Sequence, residues 1–197
     1  MRELMQFDQS GSQPLPICGQ GLRLKLRTVT NESHRALDRR LSSFDLSRAA
    51  GYRRFLEVTA AALLPIEAAL SRAGVSAMLA DWDRRSRRSA ILTDLAVIGA
   101  KGKPLPFEGR LNASQMWGAL YVLEGSRLGA RVLLNAISDL PHANGATAYL
   151  RHGLGERLWQ SFVVLLESRP CSPADELDVM DGARLAFDLF SQAAHER

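Results

Sequence analysis

The sequence predicts an all-α protein, a single-domain helical bundle. Apolar residues recur at three- and four-residue spacing along most of the chain, and no stretch alternates apolar and polar residues as a strand would. With 197 residues, of which 46% are hydrophobic, the chain is long enough to bury one substantial core. We expect residues 21–197 to form this domain, and residues 1–20, in which Gly, Pro, Gln and Ser dominate, to form a flexible arm.

The first predicted helix begins at Leu22 and ends near residues 42–43. Its apolar positions include Leu22, Leu26 and Leu37, a spacing that is typical of an amphipathic helix with one buried face. His34 therefore lies inside this helix, in its second half.

A second helix is expected from an N-cap at Ser47 to a stop at Gly74, with a kink at Pro65. The stretch 77–98 alternates apolar and arginine-rich positions less regularly, and its helical character is weaker. The Gly and Pro content of residues 99–109 then predicts a loop that separates two halves of the domain.

The second half begins with a long helix that Asn112 or Ser114 can cap and that Pro141 terminates. Helical spacing returns over residues 149–167. A last helix is expected to start at Ser172, which precedes a proline and two acidic residues, and to reach about residue 195.

Composition excludes several classes of protein. The net charge of +4 is too small to indicate nucleic-acid binding, and no apolar run approaches the roughly 20 residues of a membrane-spanning helix. The first 21 residues lack the apolar core of a secretory signal, so we expect a soluble, cytoplasmic protein. Cys18 and Cys171 are expected to be reduced thiols, and the basic run at 84–88 is expected to be a solvated helix face or turn.

Common catalytic motifs are absent from the sequence. It contains no GxSxG, HExxH, CxxC or glycine-rich phosphate loop, and no Glu-x-x-His pair of a di-iron bundle. A three-histidine zinc site is also unsupported, because the histidines fall in four separate segments.

The unusual feature is a set of glycines inside the long predicted helix, namely Gly118, Gly125 and Gly129. Each glycine costs about 1 kcal/mol relative to alanine in a helix interior. Glycines at i and i+4 line one helical face, where they allow close packing of another helix or close approach of a flat ligand to the backbone. The spacing alone leaves both explanations open.

Two segments, TVTNESHRALD at 28–38 and ALYVLEGSRLGARVL at 119–133, resemble the haem oxygenase family, in particular the bacterial members often associated with phytochromes. The first segment reproduces a T-x-x-x-H-x-x-x-D pattern of that family with Thr30, His34 and Asp38. The second reproduces the E-G-S-x-L-G-A/G pattern of its distal helix, with Glu124, Gly125, Ser126, Leu128, Gly129 and Ala130.

The resemblance implies roles for individual residues. His34 would be the proximal iron ligand, and Gly125, Ser126 and Gly129 would form the catalytic distal side, where backbone and hydroxyl hold ordered water. The remaining implied haem contacts are Arg27 and Tyr121, which would meet propionates, and Phe187, which would line the pocket. The segment WQSFVVLLESR has no clear counterpart of the basic residues that some members supply there.

The resemblance also implies an activity: oxidation of haem by O₂ to biliverdin, with release of CO and ferrous iron. No flavin or nicotinamide motif is present, so electrons would come from a ferredoxin or a flavin reductase, docked at arginines such as Arg23, Arg27 or those at 84–88. A bacterial phytochrome is the implied biliverdin acceptor. The alternatives are a non-catalytic haem- or bilin-binding protein with this fold, and a helical protein that binds another small molecule.

Overall fold

The computed structural model describes residues 21–137, 140–143, 145–169 and 172–196, so the predicted arm and both cysteines lie outside the described residues. Across these ranges all regular secondary structure is helical, which confirms the all-α class. Short 3₁₀ turns occupy Val75–Ala77 and Pro141–Ala143. The α-helices are α1 (Leu22–Ser42), α2 (Ala49–Arg72), α3 (Trp82–Arg85), α4 (Arg88–Val97), α5 (Ala113–Ile137), α6 (Ala148–Arg151), α7 (Leu158–Ser168) and α8 (Pro173–Glu196).

Helix α8 is the element against which α1, α2 and α5 all pack. Its contact with α5 is a backbone-to-backbone crossing made possible by two glycines. A Cβ atom on Gly118 would lie 1.9 Å from the carbonyl oxygen of Val179, and one on Gly182 would lie 2.0 Å from that of Gln115. Helices α1 and α5 share α8 as a common support but scarcely touch each other. We refer to the space between these two helices as the cleft.

Helix α2 runs as one element across Pro65, which lies in its buried interior. Proline has no N–H and cannot donate to the carbonyl four residues earlier. That carbonyl, on Ala61, instead accepts a hydrogen bond from the backbone of Leu105 at 2.9 Å. The prediction of Ser47 as the N-cap was wrong, because Arg48 holds that position and the Ser47 hydroxyl donates to Asp45.

The N-termini of the two long later helices were predicted correctly. Asn112 caps α5 in a reciprocal pair: the N–H of Gln115 donates to Asn112 Oδ1 at 2.8 Å, and the N–H of Asn112 donates to Gln115 Oε1 at 3.1 Å. Ser172 and Asp175 form the corresponding pair at the start of α8, at 3.2 and 2.8 Å.

The single helix predicted over 149–167 was wrong. The chain instead forms α6 and α7, separated by a loop that contains Gly153 and Gly155. Both glycines adopt the left-handed conformation, with φ of 71° and 84°, which interrupts a right-handed helix.

The Asp175 cap should make stability depend on pH. Its carboxylate accepts hydrogen bonds from the backbone of Ser172 and the hydroxyls of Ser114 and Ser172, which lower the pKa of Asp175 to about 2. In the unfolded chain this pKa is about 4, so the stabilisation is complete above that pH and disappears as the pH falls towards 2. We expect the excess stability of the wild type over Asp175→Asn, measured by urea unfolding, to shrink over this range.

The matched control is Asp188→Asn, which removes an exposed carboxylate from the same helix. The free energy of unfolding of this control should differ little from that of the wild type at neutral pH. A gap between wild type and Asp175→Asn that stays constant from pH 6 to about 2 would contradict the assigned cause.

Candidate functional site

His34 lies on the exposed side of α1, with 62% of its side chain accessible. Its Nδ1 is 2.8 Å from Oδ2 of Asp38, one helical turn later. A neutral imidazole that donates its Nδ1 proton to this carboxylate keeps the lone pair of Nε2 free for a metal. The rings of His34 and Phe187, which lies on α8, are in edge contact. Their centroids are 5.9 Å apart and their interplanar angle is 64°. Two of the predicted site residues therefore lie in contact.

The glycines of α5 serve two different purposes. Gly118 allows the crossing with α8, so at this position helix packing is the explanation. At Gly129 a Cβ atom would have no heavy atom within 4 Å, and at Gly125 it would only reach van der Waals contact with Trp159, at 3.6 Å. Val132, one turn further along the same face, is 70% exposed. The face of α5 is therefore open at Gly129, and Trp159 borders it at Gly125.

Tyr121 connects this face to the start of α1. Burial raises the pKa of the Tyr121 phenol, and the positive charges of Arg23 and Arg27 act against that rise. The two arginines are exposed and lie close enough to Tyr121 to influence its ionisation. Arg27 therefore lies within electrostatic range of Tyr121, as does Arg23.

Trp159 is a cleft residue that the sequence analysis missed. It projects from α7, covers Gly125, stacks on Phe162 with ring centroids 6.1 Å apart, and meets Tyr121 at a tilt with ring centroids 5.7 Å apart. In sequence, its segment shows only helical spacing and no clear counterpart of the basic residues that some family members supply there. An aromatic residue at helical spacing is typical of any core, so the pattern carried no signal of this position.

Behind the open face, α5 is anchored by buried charges. Glu124 has 2% of its side chain accessible and accepts hydrogen bonds from Arg85 and Arg127, each at 2.8 Å. Arg85 also pairs with Asp81 at 2.7 Å. Arg127 contacts Nδ1 of His152 at 3.1 Å, and burial, together with the charge of Arg127, lowers the pKa of this histidine. The imidazole therefore accepts the hydrogen bond in its neutral form.

The expectation that the basic run at 84–88 is a solvated helix face or turn was wrong for two of its four arginines. Arg84 and Arg88 are exposed, but Arg85 and Arg87 are 2% and 1% accessible. Arg87 donates to the hydroxyl of Ser126 at 2.9 Å. Arg85 and Arg87 therefore support the helix that carries the glycine motif and cannot bind a partner protein at the surface.

Comparison with known proteins places the chain in a family. No protein-family model matches it. A protein of Xanthomonas campestris pv. campestris named heme oxygenase is 32% identical over 111 residues, which make up 55% of this chain and 67% of that protein. The chain belongs to the haem oxygenase family. Heme oxygenase PigA of Pseudomonas aeruginosa is similar over a longer range, with 27% identity over 173 residues, 84% of this chain and 87% of that protein.

Solved haem oxygenase structures have the same fold. The NO- and CO-bound heme oxygenase of Neisseria meningitidis superposes with a TM-score of 0.78 over 89% of this chain and 90% of that chain, at 22% identity. The heme oxygenase of Leptospira interrogans gives a TM-score of 0.70 over 90% of this chain and 100% of that chain, at 17% identity. These likenesses establish the haem oxygenase fold.

The residues of the cleft fit a haem group better than a bare metal ion. Within the described residues no three His, Cys, Asp or Glu side chains come together as a metal site. His34 offers one nitrogen, which is what a protein would contribute to hold a histidine-ligated haem. The space beside Gly129 would be filled by a larger side chain.

No helix in the described ranges has the length and apolarity needed to span a membrane.

The buried ion pairs of Glu124 predict a large loss of stability on neutralisation. Glu124→Gln leaves Arg85 and Arg127 buried with one fewer carboxylate, and we expect the free energy of unfolding in urea to fall by about 3 kcal/mol. Glu156→Gln is the control, since its pair with Arg84 at 2.5 Å is half exposed and should contribute less than about 1 kcal/mol. Equal losses in the two variants would contradict this role for Glu124.

Proposed function

We propose that this protein is a haem oxygenase enzyme that converts haem to biliverdin, with release of CO and ferrous iron, and uses O₂ and electrons supplied from outside. The observation that carries the proposal is a pair of elements on two helices that share α8 as their support. An accessible histidine beside a carboxylate lies on α1, and α5 carries two glycines with open space at Gly129.

On the α1 side, His34 would bind the haem iron through Nε2. Asp38 holds the other nitrogen at 2.8 Å, which selects the tautomer and makes the imidazole a stronger donor. Phe187 limits rotation of the ring from the α8 side. These contacts orient the ligand before haem arrives, so little ordering is required at binding.

On the α5 side, Gly125 and Gly129 would let the macrocycle approach the backbone and leave room for a small molecule only. When bound, haem supplies the iron that activates oxygen and is also the molecule oxidised. The hydroxyl of Ser126 already donates to the carbonyl of Leu123 at 2.8 Å and accepts from Arg87. It can therefore only accept a further hydrogen bond, as from an ordered water.

The start of α1 would hold the propionates. Arg23 and Arg27 are exposed, and their charges act on the phenol of Tyr121, so two cations and one hydroxyl would be available to the propionates at this end of the cleft. Arginine suits a carboxylate because it can donate two parallel hydrogen bonds. Trp159, from the segment 159–169, contacts Tyr121 at the same end, with ring centroids 5.7 Å apart.

The electron donor would be an acidic protein such as a ferredoxin, or a flavin reductase, that docks along α1. This helix carries six basic and two acidic residues, an excess that equals the net charge of +4 of the whole chain. Arg35 and Arg39 are exposed on the turns next to His34. A positive surface beside the haem edge would steer such a partner to the place where electrons enter. A bacterial phytochrome is the biliverdin acceptor that the family resemblance suggests.

The test is optical. Hemin is titrated into the purified protein, and ascorbate or a ferredoxin system is then added in air, with catalase to prevent bleaching by free peroxide. We expect one haem per chain with a histidine-ligated Soret band, followed by its replacement by biliverdin absorption and by CO trapped with ferrous myoglobin. Haem that binds but persists with every donor indicates a non-catalytic binding protein, and the absence of stoichiometric binding rejects the haem site.

A further inference from the structure

Arg87 is a buried arginine whose guanidinium is aimed at the glycine-motif helix. Only 1% of the residue is accessible. One terminal nitrogen, Nη2, donates to the carbonyl of Leu123 at 2.8 Å and to Oγ of Ser126 at 2.9 Å. The other, Nη1, donates to the phenol oxygen of Tyr149 at 3.2 Å, and that ring lies 4.9 Å below the guanidinium carbon.

No carboxylate contacts this guanidinium within the part of the chain that the structure describes. Glu67 lies at the opposite end of the residue, where it accepts from the backbone N–H of Arg87 at 2.8 Å. Glu124 is engaged by Arg85 and Arg127. The Nε atom of Arg87 is buried without a hydrogen-bond partner among the described residues. The charge is therefore less neutralised than that of Arg85, and water does not screen it.

The contacts of Arg87 also determine what Ser126 can offer to the cleft. The hydroxyl proton of Ser126 is committed to Leu123, and one lone pair is committed to Arg87. A serine hydroxyl has one donor and two acceptor sites, so a single acceptor site remains. Without Arg87 the hydroxyl could rotate and donate elsewhere, because only one hydrogen bond would still fix it.

We propose that Arg87 is a positioning residue for the α5 side of the cleft, where it fixes the Ser126 hydroxyl and supplies a positive charge that favours small anionic ligands of bound haem. This inference rests on the proposed function. A unit charge acting across roughly the width of one helix, about 10 Å, changes an anion's affinity by about an order of magnitude in a partly buried site. It leaves a neutral ligand almost unaffected.

The experiment compares an anion with a neutral ligand. Azide is titrated into the ferric haem-loaded protein and CO into the ferrous form, for the wild type, Arg87→Gln and Arg88→Gln. We expect the azide dissociation constant of Arg87→Gln to rise about tenfold with the CO constant unchanged. Arg88→Gln removes the same charge from the next residue, which is exposed, and should leave both constants unchanged.

Three results would overturn the inference. They are an unchanged azide dissociation constant in Arg87→Gln, an equal rise of the azide and CO dissociation constants in that variant, or the same rise of the azide constant in Arg88→Gln. If the glutamine variant fails to fold, Arg87→Lys decides: it keeps the charge, and a tenfold azide loss there would overturn the inference. A wild type that binds no haem overturns the proposed function and this inference together. If the wild type binds haem but one of these azide or CO results is found, the inference alone is overturned.

Discussion

Replacement of His34 by alanine is expected to abolish the stoichiometric histidine-ligated haem spectrum and to reduce biliverdin formation to background, a loss of at least about 100-fold. The reason is that the cleft offers one nitrogen oriented by a carboxylate, and the described residues hold no metal-binding cluster that could replace it. Because 62% of the side chain is accessible, the free energy of unfolding should change by no more than about 0.5 kcal/mol. Hemin titration, turnover and urea unfolding measure the three quantities.

His195→Ala is the matched control, since His195 is also an exposed helical histidine and its Nδ1 bonds to the backbone carbonyl of Ser191. It should retain both spectrum and turnover. Asp38→Asn should fall between the two, because the imidazole keeps its nitrogen but loses the carboxylate that orients it. A His34→Ala protein with the wild-type haem spectrum would place the iron ligand elsewhere.

Sequence patterns predicted the starts of α5 and α8, where a periodic segment begins at a local capping signal. The side chains of Asn112 and Ser172 bond to the backbone of their own helices, so the information that starts α5 and α8 lies within three residues. The break between α6 and α7 was missed because it depends on the left-handed conformation of Gly153 and Gly155, and glycine also occurs within helices. Helix α2 continues through Pro65 because a distant residue, Leu105, satisfies the freed carbonyl.

The candidate site also contains residues that the sequence could single out and residues that it could not. His34 and the glycines of α5 were candidates because their segments resemble the haem oxygenase family, and Asp38 lies one turn after His34 by helical spacing alone, without tertiary information. The burial of Arg85 and Arg87 was not predictable from the basic run, because it depends on Glu124 and Ser126, which approach from another helix. Trp159 was missed for the same reason: only the packing of α7 on α5 places its ring over Gly125.

The glycines of α5 predict opposite effects of the same substitution. In Gly118→Ala the new Cβ would lie 1.9 Å from a backbone oxygen of α8, which cannot move aside, so we expect the free energy of unfolding to fall by more than about 4 kcal/mol. In Gly129→Ala the new atom meets nothing within 4 Å, and the better helix propensity of alanine should stabilise the protein by up to about 1 kcal/mol. Urea unfolding of both variants measures the contrast.

At Gly129, where the fold tolerates a side chain, a large side chain should instead impair haem binding and turnover. Gly129→Leu keeps the helix intact but places a large side chain in the cleft, so haem affinity and turnover should both fall while the unfolding free energy stays near that of the wild type. Leu128→Ala, which shortens an exposed neighbour on the same helix, controls for a change of apolar surface. If Gly129→Leu turned over haem normally, the open face of α5 would not be where the ligand lies. If Gly118→Ala were as stable as Gly129→Ala, the crossing of α5 and α8 would not depend on that glycine.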